Sequence, residues 1–386
     1  MRILHVVGSL EPQQGGPSVS VPSLAAAQAM EGHDVTLATQ EMSTLARKTV
    51  LSSIEGVEGV TLLSLKKKPA VFDLFMRGGW SDPLVSNVRM ADFLHLHGVW
   101  DPLLLRAARV ARKFGVPYAV APRGMLDPWS LRQKRIKKSI ALELLVRKML
   151  DGAAFIHALN DDERALMAPI GLKTRVEVLP NGVFPSRIRT DAEANGGPIS
   201  LIGKKKYVLF LGRLHYKKGV DVLLEAFGTL RHRNVELALV LAGPNQGVDS
   251  QIDEIARRFG ISERVFRVGP LYGQAKLQWM ASALCFCLPS RQEGFSMAVL
   301  EAMAVGVPVV ITPECHFSEV EDVGAGRVVP LDANQIADAI LEFAANAERR
   351  ARAGAAARTL ANTKYQWPTI ARHSLRLYTN PLGNGA

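Results

Sequence analysis

The sequence contains few cysteines and no long apolar run. Its 386 residues include three cysteines, Cys285, Cys287 and Cys315, whose spacing matches no metal-binding motif. Such a small, odd number is typical of reduced thiols, and two of them lie in the apolar run ALCFCLPS, so we interpret them as buried small side chains. No apolar run reaches the roughly 18 residues that a membrane-spanning helix needs. The sequence therefore predicts neither a disulfide framework nor a transmembrane helix.

The first ten residues, MRILHVVGSL, share one feature with a signal peptide, because a basic residue precedes an apolar stretch. The stretch is too short, lacks a small-x-small cleavage site and is followed at once by EPQQGG. We interpret it as the first buried strand of the fold.

Negative charge is also scarce. The chain carries 47 Lys and Arg against 36 Asp and Glu, which gives a net charge of +11. This balance indicates an anionic partner: nucleic acid, a membrane surface or a phosphorylated substrate. Nucleic-acid-binding proteins interleave aromatic residues with their cations, but aromatics make up only 6% of this chain. We therefore expect no nucleic-acid partner and retain the other two.

The positive charge is concentrated between Arg123 and Leu150. This stretch has eight basic and two acidic residues. Its apolar side is formed by Trp129, Leu131, Ile136, Ile140 and Leu144. A basic amphipathic helix is typical of a segment that lies on an anionic membrane. We predict such a contact through residues 129–148; a solvated basic face is the alternative.

The two halves of the chain repeat one order of elements. Each begins with an apolar strand and a glycine-bearing loop, RILHVVGS with QQGGPS and YVLFLG with RLHYKKG, and then a helix. Further strands alternate with helices in both halves, which predicts parallel sheets covered on both faces. The predicted fold class is α/β, with two Rossmann-like, doubly wound domains that bind ligands at the carboxyl ends of their strands.

Composition places the domain boundaries. Residues 1–182 form the predicted first domain and residues 206–365 the second. Residues 183–205 are rich in Pro, Gly and polar residues without a clear period, which is typical of a linker. Residues 366–386 are predicted to form a C-terminal helix and tail that pack back on the first domain.

The motif GRLHYKKG directly follows a predicted strand of the second half. Arg213 at the strand end and Lys218 on the following turn can hold a phosphate from two sides, because Arg offers a planar fork and Lys a point charge. A solvated loop with ordinary surface cations is the alternative.

A second motif, RQEGFSMAVLEAMAVGVPVV, places two carboxylates around a helix start. Ser296 marks the start of an apolar helix and Gly306 its end. The free N–H groups at this start suit an anion. Glu293 lies just before the helix and Glu301 about one and a half turns into it. A nucleoside diphosphate sugar would fit this arrangement; a buried helix with one capping and one satisfied Glu is the alternative.

These motifs resemble those of the family 4 retaining glycosyltransferases, which have the GT-B fold. The resemblance covers nearly the whole chain and rests on GGPS, PNGV, GRLHYKKG, LAGP and EGFSMAVLEAMAVGVPVV. It implies two domains that face a cleft, and transfer of a sugar from a nucleotide donor to an acceptor hydroxyl with retention of configuration. It also implies that no metal or other cofactor is needed, and no Asp-x-Asp motif stands at a plausible strand end.

The resemblance further implies residue roles. The catalytic group would comprise Arg213 and Lys218 on the donor diphosphate and Glu293 on the donor sugar, with Glu301 on the ribose. Other donor contacts would come from the first-domain glycine loop and the second motif: Gly15, Gly16, Gly294, Phe295, Ser296 and Met297.

The first half resembles a subgroup that assembles bacterial exopolysaccharide and lipopolysaccharide. The matching residues are LHLHGVWDPLLLRAARVARKFGVPYAVAPRGMLDPWSLRQKRIKKSIA. This implies a lipid-linked or other glycan acceptor on the first domain, and a cytoplasmic enzyme peripheral to the inner face of the inner membrane. A GT-B epimerase or phosphorylase is an alternative within the fold, although no lysine for the pyridoxal phosphate of a phosphorylase can be placed.

One position departs from the family. Relatives often have a histidine in the segment APRGML, where this chain has Arg123, and an arginine cannot act as a base at neutral pH. His97 is then the remaining histidine candidate, and His97 and Arg123 are predicted contacts of the acceptor or sugar. His95 is predicted to point to the opposite face of the strand.

Overall fold

The apolar runs of the sequence form thirteen strands in a computed structural model that describes residues 1–12, 15–40, 42–44, 47, 51–70, 73, 81–184, 199–203 and 205–380. All strand pairs among these residues are parallel. They form one seven-stranded and one six-stranded sheet. Helices connect successive strands, so the predicted α/β class with two Rossmann-like sheets is confirmed.

The first sheet contains β1 (Arg2–Val7), β2 (Asp34–Gln40), β3 (Val60–Leu65), β4 (Phe93–His97), β5 (Tyr118–Ala121), β6 (Phe155–Ala158) and β7 (Val176–Val178). The strand order is β3-β2-β1-β4-β5-β6-β7. The direction of winding reverses between β1 and β4. In doubly wound sheets the carboxyl edge at such a reversal is where ligands bind.

The first helix, α1 (Pro17–Met30), follows β1, and aspartate or asparagine caps several later helices because its side chain accepts from free N–H groups. Apart from short 3-10 helices, the described residues before 182 also form α2 (Pro83–Met90), α3 (Pro102–Phe114), α4 (Pro128–Arg132), α5 (Arg135–Ala141), a π-helix (Leu142–Val146), α6 (Arg147–Leu150) and α7 (Asp161–Met167).

The second sheet contains β8 (Tyr207–Leu211), β9 (Ala238–Ala242), β10 (Val265–Gly269), β11 (Cys285–Leu288), β12 (Val309–Ile311) and β13 (Gly326–Val328). Its order is β10-β9-β8-β11-β12-β13, so the winding reverses between β8 and β11. Each half of the chain thus has a reversal point next to its first strand.

The helices of the second half are α8 (Ile199–Ile202), α9 (Val220–His232), α10 (Asp249–Arg258), α11 (Gly273–Ala281), α12 (Met297–Ala304), α13 (Glu319–Asp322), α14 (Ala333–Ala345) and α15 (Ala347–Lys364). The last helix, α16 (Trp367–Thr379), ends the described chain. Among the described residues, no helix is both long and apolar enough to span a bilayer.

The chain divides into two units. The first comprises Met1–Gly182 together with Trp367–Ala386, and the second comprises Val183–Gln366. In the first unit α16 packs on α1. Val183 belongs to the second unit and donates its N–H to the carbonyl of Tyr365 at 2.8 Å, whereas the sequence placed a linker from this position onward. Linker residues 185–198 and tail residues 381–386 lie outside the described residues.

The central strands carry the apolar core. Every residue of β4, β5, β9 and β11 is buried, as expected for parallel strands covered on both faces. Cys285 and Cys287 are part of this core, and Cys315 is also buried and free. Burial raises the pKa of the Cys285 thiol to about 12, which keeps it protonated and unreactive.

Candidate functional site

The loops that follow β8 and β11 lie against each other in the second unit. Gly219 has a φ of +68°, and a Cβ there would lie 1.8 Å from the carbonyl oxygen of Pro289, so only glycine allows this approach. The N–H of Arg291 donates to the carbonyl of Lys217 at 2.8 Å. These contacts join the two loops at the point where the winding reverses.

This junction brings Lys218 to Glu293. The ammonium of Lys218 donates to Oε1 of Glu293, and the hydroxyl of Ser290 donates to the same oxygen at 2.7 Å. The Glu293 side chain is 9% exposed. Burial opposes its ionisation, but the charge and hydrogen bond of Lys218 outweigh burial and lower the pKa of Glu293. The pair is therefore an ion pair at neutral pH.

Glu301 forms a separate pair. It is the fifth residue of α12, which begins after the predicted cap Ser296, whose hydroxyl accepts from the N–H of Val299 at 3.4 Å. The ammonium of Lys276, on α11, donates to Oε1 of Glu301 at 2.6 Å. Both side chains keep some exposure, 17% and 14%, so a polar ligand can reach the pair.

Arg213 follows β8 and is half-buried. Within the described part of the chain, no side chain forms a hydrogen bond or an ion pair with its guanidinium. Nearby cations are numerous: burial and the charges of Arg213, Lys217 and Lys218 lower the pKa of His215. A guanidinium without a counter-ion, in a positive surrounding, suits an anionic ligand.

The start of α12 is held by aromatic packing. The Phe295 ring is 8% exposed and meets the ring of Phe317 edge-on at 4.7 Å. Phe295 therefore contributes packing, and contacts from it to a ligand would come from its backbone. Gly294, Ser296 and Met297 flank this anchored residue at the helix start.

The predicted second-unit residues occupy one end of one sheet. Lys218 and Glu293 are in direct contact, whereas Glu301 contacts a lysine that the sequence did not single out. Ser290 and Lys276 were also missed as members of this region. Ser290 directly precedes the second motif and could have been noticed, but Lys276 carries no local signal.

In the first unit the glycine loop begins α1. Gly15 has a φ of +80°, which favours glycine, and its carbonyl accepts from the hydroxyl of Ser18 at 2.7 Å. Gly16 is the N-cap of α1, and Pro17 is its first residue. The carbonyls of Gly15 and Gly16 accept from the first N–H groups of α1, those of Ser18, Val19 and Ser20.

His95 and His97 are both buried and lie on the same face of β4. Their ring centroids are 4.2 Å apart. The prediction that His95 points to the opposite face is wrong, because side chains alternate with a period of two and residues two apart share a face. Both rings also approach His5 of the neighbouring strand β1, at 5.4 and 5.2 Å.

His97 begins a continuous series of hydrogen bonds through the first unit. Its Nε2 lies 2.9 Å from Nδ1 of His5, and Nε2 of His5 lies 2.7 Å from Oε1 of Gln28, on α1. All three side chains are buried. Burial lowers the pKa of His5 to about 4 and that of His97 well below its usual value.

The series continues from the amide of Gln28. Its Nε2 donates to the hydroxyl of Tyr378, on α16, at 3.2 Å, and that hydroxyl lies 2.6 Å from Nδ1 of His95. Nε2 of His95 lies 3.1 Å from Nδ1 of His157, whose Nε2 donates to the carbonyl of Leu179 at 2.6 Å. We call the four histidines with Gln28 and Tyr378 the histidine chain.

Arg123 stands at the other end of this chain. Its guanidinium donates to Nδ1 of His97 at 3.2 and 3.4 Å, to the hydroxyl of Ser20 at 3.0 Å and to Oδ1 of Asn181 at 3.4 Å. Its φ of +55° is rare for a residue with a side chain. Glu163 fixes this turn, because its carboxylate accepts from the N–H of Gly124 at 2.5 Å.

Three of the histidines could in principle hold a metal ion. Ligand atoms of His5, His95 and His97 lie within 4.8 Å of one another. All six of their ring nitrogens already have protein partners, and Arg123 adds a positive charge beside them. The set therefore fits a hydrogen-bond network better than a cation site.

The basic stretch differs from its prediction. Instead of one helix over residues 129–148, α4 ends at Arg132 and α5 begins at Arg135, because Lys134 has a φ of +54°. Trp129 and Leu131 are half-buried, and Leu131 packs against the core. Three apolar side chains, each four residues from the next, are instead exposed: Ile136 by 78%, Ile140 by 56% and Leu144 by 66%.

Comparison with known proteins gives matches in both units. The family model "Glycosyl transferase 4-like domain" matches residues 15–182, and "Glycosyl transferases group 1" matches residues 195–360. Among curated proteins, the chain is 28% identical to a glycogen synthase of Mycobacterium tuberculosis, over 98% of this chain and 94% of the relative. It is 29% identical to a GDP-mannose-dependent phosphatidylinositol monomannoside mannosyltransferase of the same species, over 74% of this chain and 77% of the relative.

Solved structures agree on the fold. HepE of Anabaena, crystallised with UDP and glucose, has a TM-score of 0.77 at 18% identity, over 98% of this chain and all of that one. A sucrose-phosphate synthase of Thermosynechococcus elongatus has the same TM-score and identity, with both chains covered fully. The chain therefore has the GT-B fold, and its two halves match the domain types of glycosyltransferases, a 4-like first domain and a group 1 second domain.

Proposed function

We propose that this protein is a retaining hexosyltransferase that works without a metal ion. It moves a sugar from a nucleoside diphosphate donor to a hydroxyl of a lipid-linked or other glycan acceptor. The bond from the anomeric carbon to the diphosphate oxygen breaks and a bond to the acceptor oxygen forms. The nucleoside diphosphate leaves with the electron pair, and the acceptor proton is released. The setting we propose is bacterial surface-polysaccharide assembly at the inner face of the inner membrane.

The observation that carries this proposal is the grouping of charges at the carboxyl ends of β8 and β11. Arg213 lacks a counter-ion among the described residues, and Lys218 stands on the adjoining turn. These cations and the start of α12 suit the diphosphate, while Glu293 and Glu301 suit sugar and ribose hydroxyls. Similar proteins crystallised with UDP and glucose, or named as dependent on GDP-mannose, support a nucleotide-sugar donor.

Charge stabilisation supplies the chemistry in this proposal. Negative charge grows on the diphosphate as the glycosidic bond breaks, and cations fixed in place stabilise this charge more in the transition state than in the ground state. We assign this role to Arg213 and Lys218. A front-face route, in which the departing phosphate oxygen takes the acceptor proton, needs no histidine base. The lowered pKa of buried His97 accords with a neutral, structural ring.

The acceptor side of the proposal rests on the exposed apolar residues of α5 and the π-helix. Ile136, Ile140 and Leu144 are surrounded by exposed Lys and Arg residues. Basic residues near an anionic bilayer contribute about 1 kcal/mol each, and the apolar side chains can enter the headgroup region. We propose that this face rests on the membrane and presents the first unit to lipid-linked acceptors.

Lys218→Ala tests the donor assignment, with Lys206→Ala as its control. Lys206 is exposed and precedes β8, so it stands at the opposite end of the same strand. A panel of nucleotide sugars screened by thermal shift identifies the donor, since a bound ligand raises the Tm. We expect Lys218→Ala to lower transfer by about 100-fold while Lys206→Ala stays near wild type. Wild-type transfer by Lys218→Ala would remove the diphosphate assignment.

The same assay separates the proposed transferase from an epimerase. Donor turnover should require the acceptor, and a rearranged sugar released without acceptor would favour the epimerase. For the membrane face, Ile140→Ser should weaken co-sedimentation with anionic vesicles about tenfold. Met90→Ser, which changes an exposed apolar residue of α2, is the control. Equal binding by both variants would exclude this face as the contact.

A further inference from the structure

The two ends of the histidine chain determine the direction of every hydrogen bond in it. At one end Arg123 can only donate, because a guanidinium has no acceptor. At the other end the carbonyl of Leu179 can only accept. A neutral imidazole donates from one nitrogen and accepts at the other. Once one hydrogen bond of a ring has its donor assigned, the donor of the ring's other hydrogen bond is therefore determined as well.

One assignment of the hydrogens is consistent with both ends. Arg123 donates to Nδ1 of His97, which donates from Nε2 to His5, which donates from Nε2 to Oε1 of Gln28. The Gln28 amide donates to the hydroxyl of Tyr378. That hydroxyl donates to His95, which donates to His157. All four rings are then neutral and carry their hydrogen on Nε2, and no donor or acceptor in the chain is left over.

Arg123 is the charged group that this neutral chain supports. Burial lowers the pKa of Arg123 to about 10, so the guanidinium stays protonated at neutral pH. Its hydrogen-bond partners, His97, Ser20 and Asn181, are all uncharged. In the part of the chain that the structure describes, no carboxylate forms an ion pair with it. The charge of Glu163 acts on Arg123, but its carboxylate is bonded to the N–H of Gly124 and makes no direct ion pair with the guanidinium. A largely buried cation without a counter-ion in contact is costly unless an anion binds there.

We propose that Arg123 is the anion contact of the first unit and takes a diphosphate, and that Gln28 and Tyr378 are positioning residues that hold it through the histidine chain. The choice of a diphosphate rests on the proposed function, since both a nucleotide donor and a lipid-linked acceptor carry this group. The left-handed backbone of Arg123 and the hydrogen bond from Gly124 to Glu163 also hold the side chain in position, because they fix the conformation of the loop that carries it.

The histidine tautomers give a test that needs no catalysis. The ¹⁵N spectrum of the full chain should contain four rings with hydrogen on Nε2 that do not titrate between pH 5 and 8, as the lowered pKa values require. The other five of the nine histidines are half-buried or exposed and lie outside the histidine chain. A hydrogen on Nδ1 of His97 would overturn the proposal, because that nitrogen could not accept from Arg123.

Tyr378→Phe tests the positioning role, and Tyr118→Phe is a matched control. Tyr118 is a buried tyrosine of the same unit whose hydroxyl donates to the carbonyl of Met149, outside the chain. Both variants lose one buried hydroxyl, so both should lose similar stability. Only Tyr378→Phe should shift the Nε resonance of Arg123 and free the His95 ring to titrate. Equal spectra of Arg123 in the two variants would contradict a positioning role.

Ligand titrations identify the source of the diphosphate. UDP is the probe for the donor, and farnesyl diphosphate in detergent is the probe for a lipid-linked acceptor. A change in the Nε resonance of Arg123 reports binding of either ligand. For the ligand that moves this resonance, Arg123→Met should raise the Kd about tenfold, and Tyr378→Phe about threefold, with Tyr118→Phe within twofold. Arg123→Lys keeps the charge and replaces Arg123→Met if the latter fails to fold. If neither ligand moves the resonance, the proposal fails, even where transfer itself is found.

Discussion

The two sheets carry different polar groups at the points where their winding reverses. At β8 and β11 most polar groups are charged and paired, as in Lys218 with Glu293 and Arg291 with Asp221, and Arg213 is the exception. At β1 and β4 they are neutral imidazoles in a directed series that ends on one cation, Arg123. Ion pairs with some exposure can exchange a partner for a ligand, whereas a buried neutral chain resists rearrangement because every broken bond leaves an unsatisfied group.

The difference indicates a division of labour between similar folds. A region that binds and releases a charged substrate in each cycle benefits from groups that can change partners. A region that must present one guanidinium in one orientation benefits from a rigid support. Topology alone therefore does not determine the polar chemistry at the edge of a doubly wound sheet.

The largest expected effect is that of Arg213→Ala in the second unit. Loss of the guanidinium removes charge stabilisation at the diphosphate, and transfer should fall by about 100-fold or more. Arg257→Ala, which removes an exposed arginine of α10, is the matched control and should stay within twofold. Steady-state rates with the identified donor measure this. Equal losses in both variants would show that general positive charge, and not this position, matters.

Acid should weaken the first sheet before the second. The folded pKa of His5, about 4, lies below its unfolded value of 6.5, so its stabilisation is present above pH 6.5 and is lost as the pH falls towards 4. His5 alone accounts for about 3 kcal/mol of the unfolding free energy over this range. Glu293 has a lowered pKa, so its contribution is lost only below its usual value of 4.5.

Hydrogen exchange measured separately in β1 and β8, at pH 7 and pH 5, tests this order. Protection corrected for the intrinsic exchange rate should drop in β1 and persist in β8. A parallel loss in both strands above pH 5 would contradict the assignment of neutral, buried histidines to the first unit.

The two glutamates of the second unit should differ in kinetics. Glu293→Gln should lower kcat by about tenfold, because it removes the charge that holds Lys218 in place for the diphosphate. Glu301→Gln should raise the donor KM by about tenfold with little change in kcat, since ribose hydroxyls bind alike in ground and transition states. The reverse pattern, with kcat lowered by Glu301→Gln, would exchange the two assignments.

The smallest expected effect is that of Lys276→Met. The ammonium of Lys276 holds Glu301 at 2.6 Å, and its loss should raise the donor KM by about threefold. Lys205→Met, at an exposed position before β8, should leave the KM unchanged. A lowered KM would instead mean that Lys276 competes with the donor for the carboxylate.

The sequence predicts the secondary structure better than the contacts between side chains. The strands predicted at RILHVVGS and YVLFLG are found as β1 and β8, because buried parallel strands are short, nearly continuous apolar runs with clear ends. Local signals also located the start of α12 at Ser296 and the positions of both glutamates relative to it.

Contacts between distant residues could not be predicted in this way. Gln28 meets Tyr378 across 350 positions, and Lys276 reaches Glu301 from another helix. The exposed face of the basic stretch was misjudged for a related reason: a single left-handed residue, Lys134, ends the helical period and changes the direction of the next helix. These contacts and this change of helix direction depend on tertiary packing, which a local sequence pattern does not determine.

The return of α16 to the first unit has a consequence for how the protein is made. The hydroxyl that closes the histidine chain belongs to Tyr378, which a ribosome adds after the whole second unit. The first unit can therefore collapse early during synthesis but cannot complete its buried hydrogen bonds until translation is nearly over. Nascent chains stalled before residue 367 should thus hold a sheet whose polar interior is still open to water.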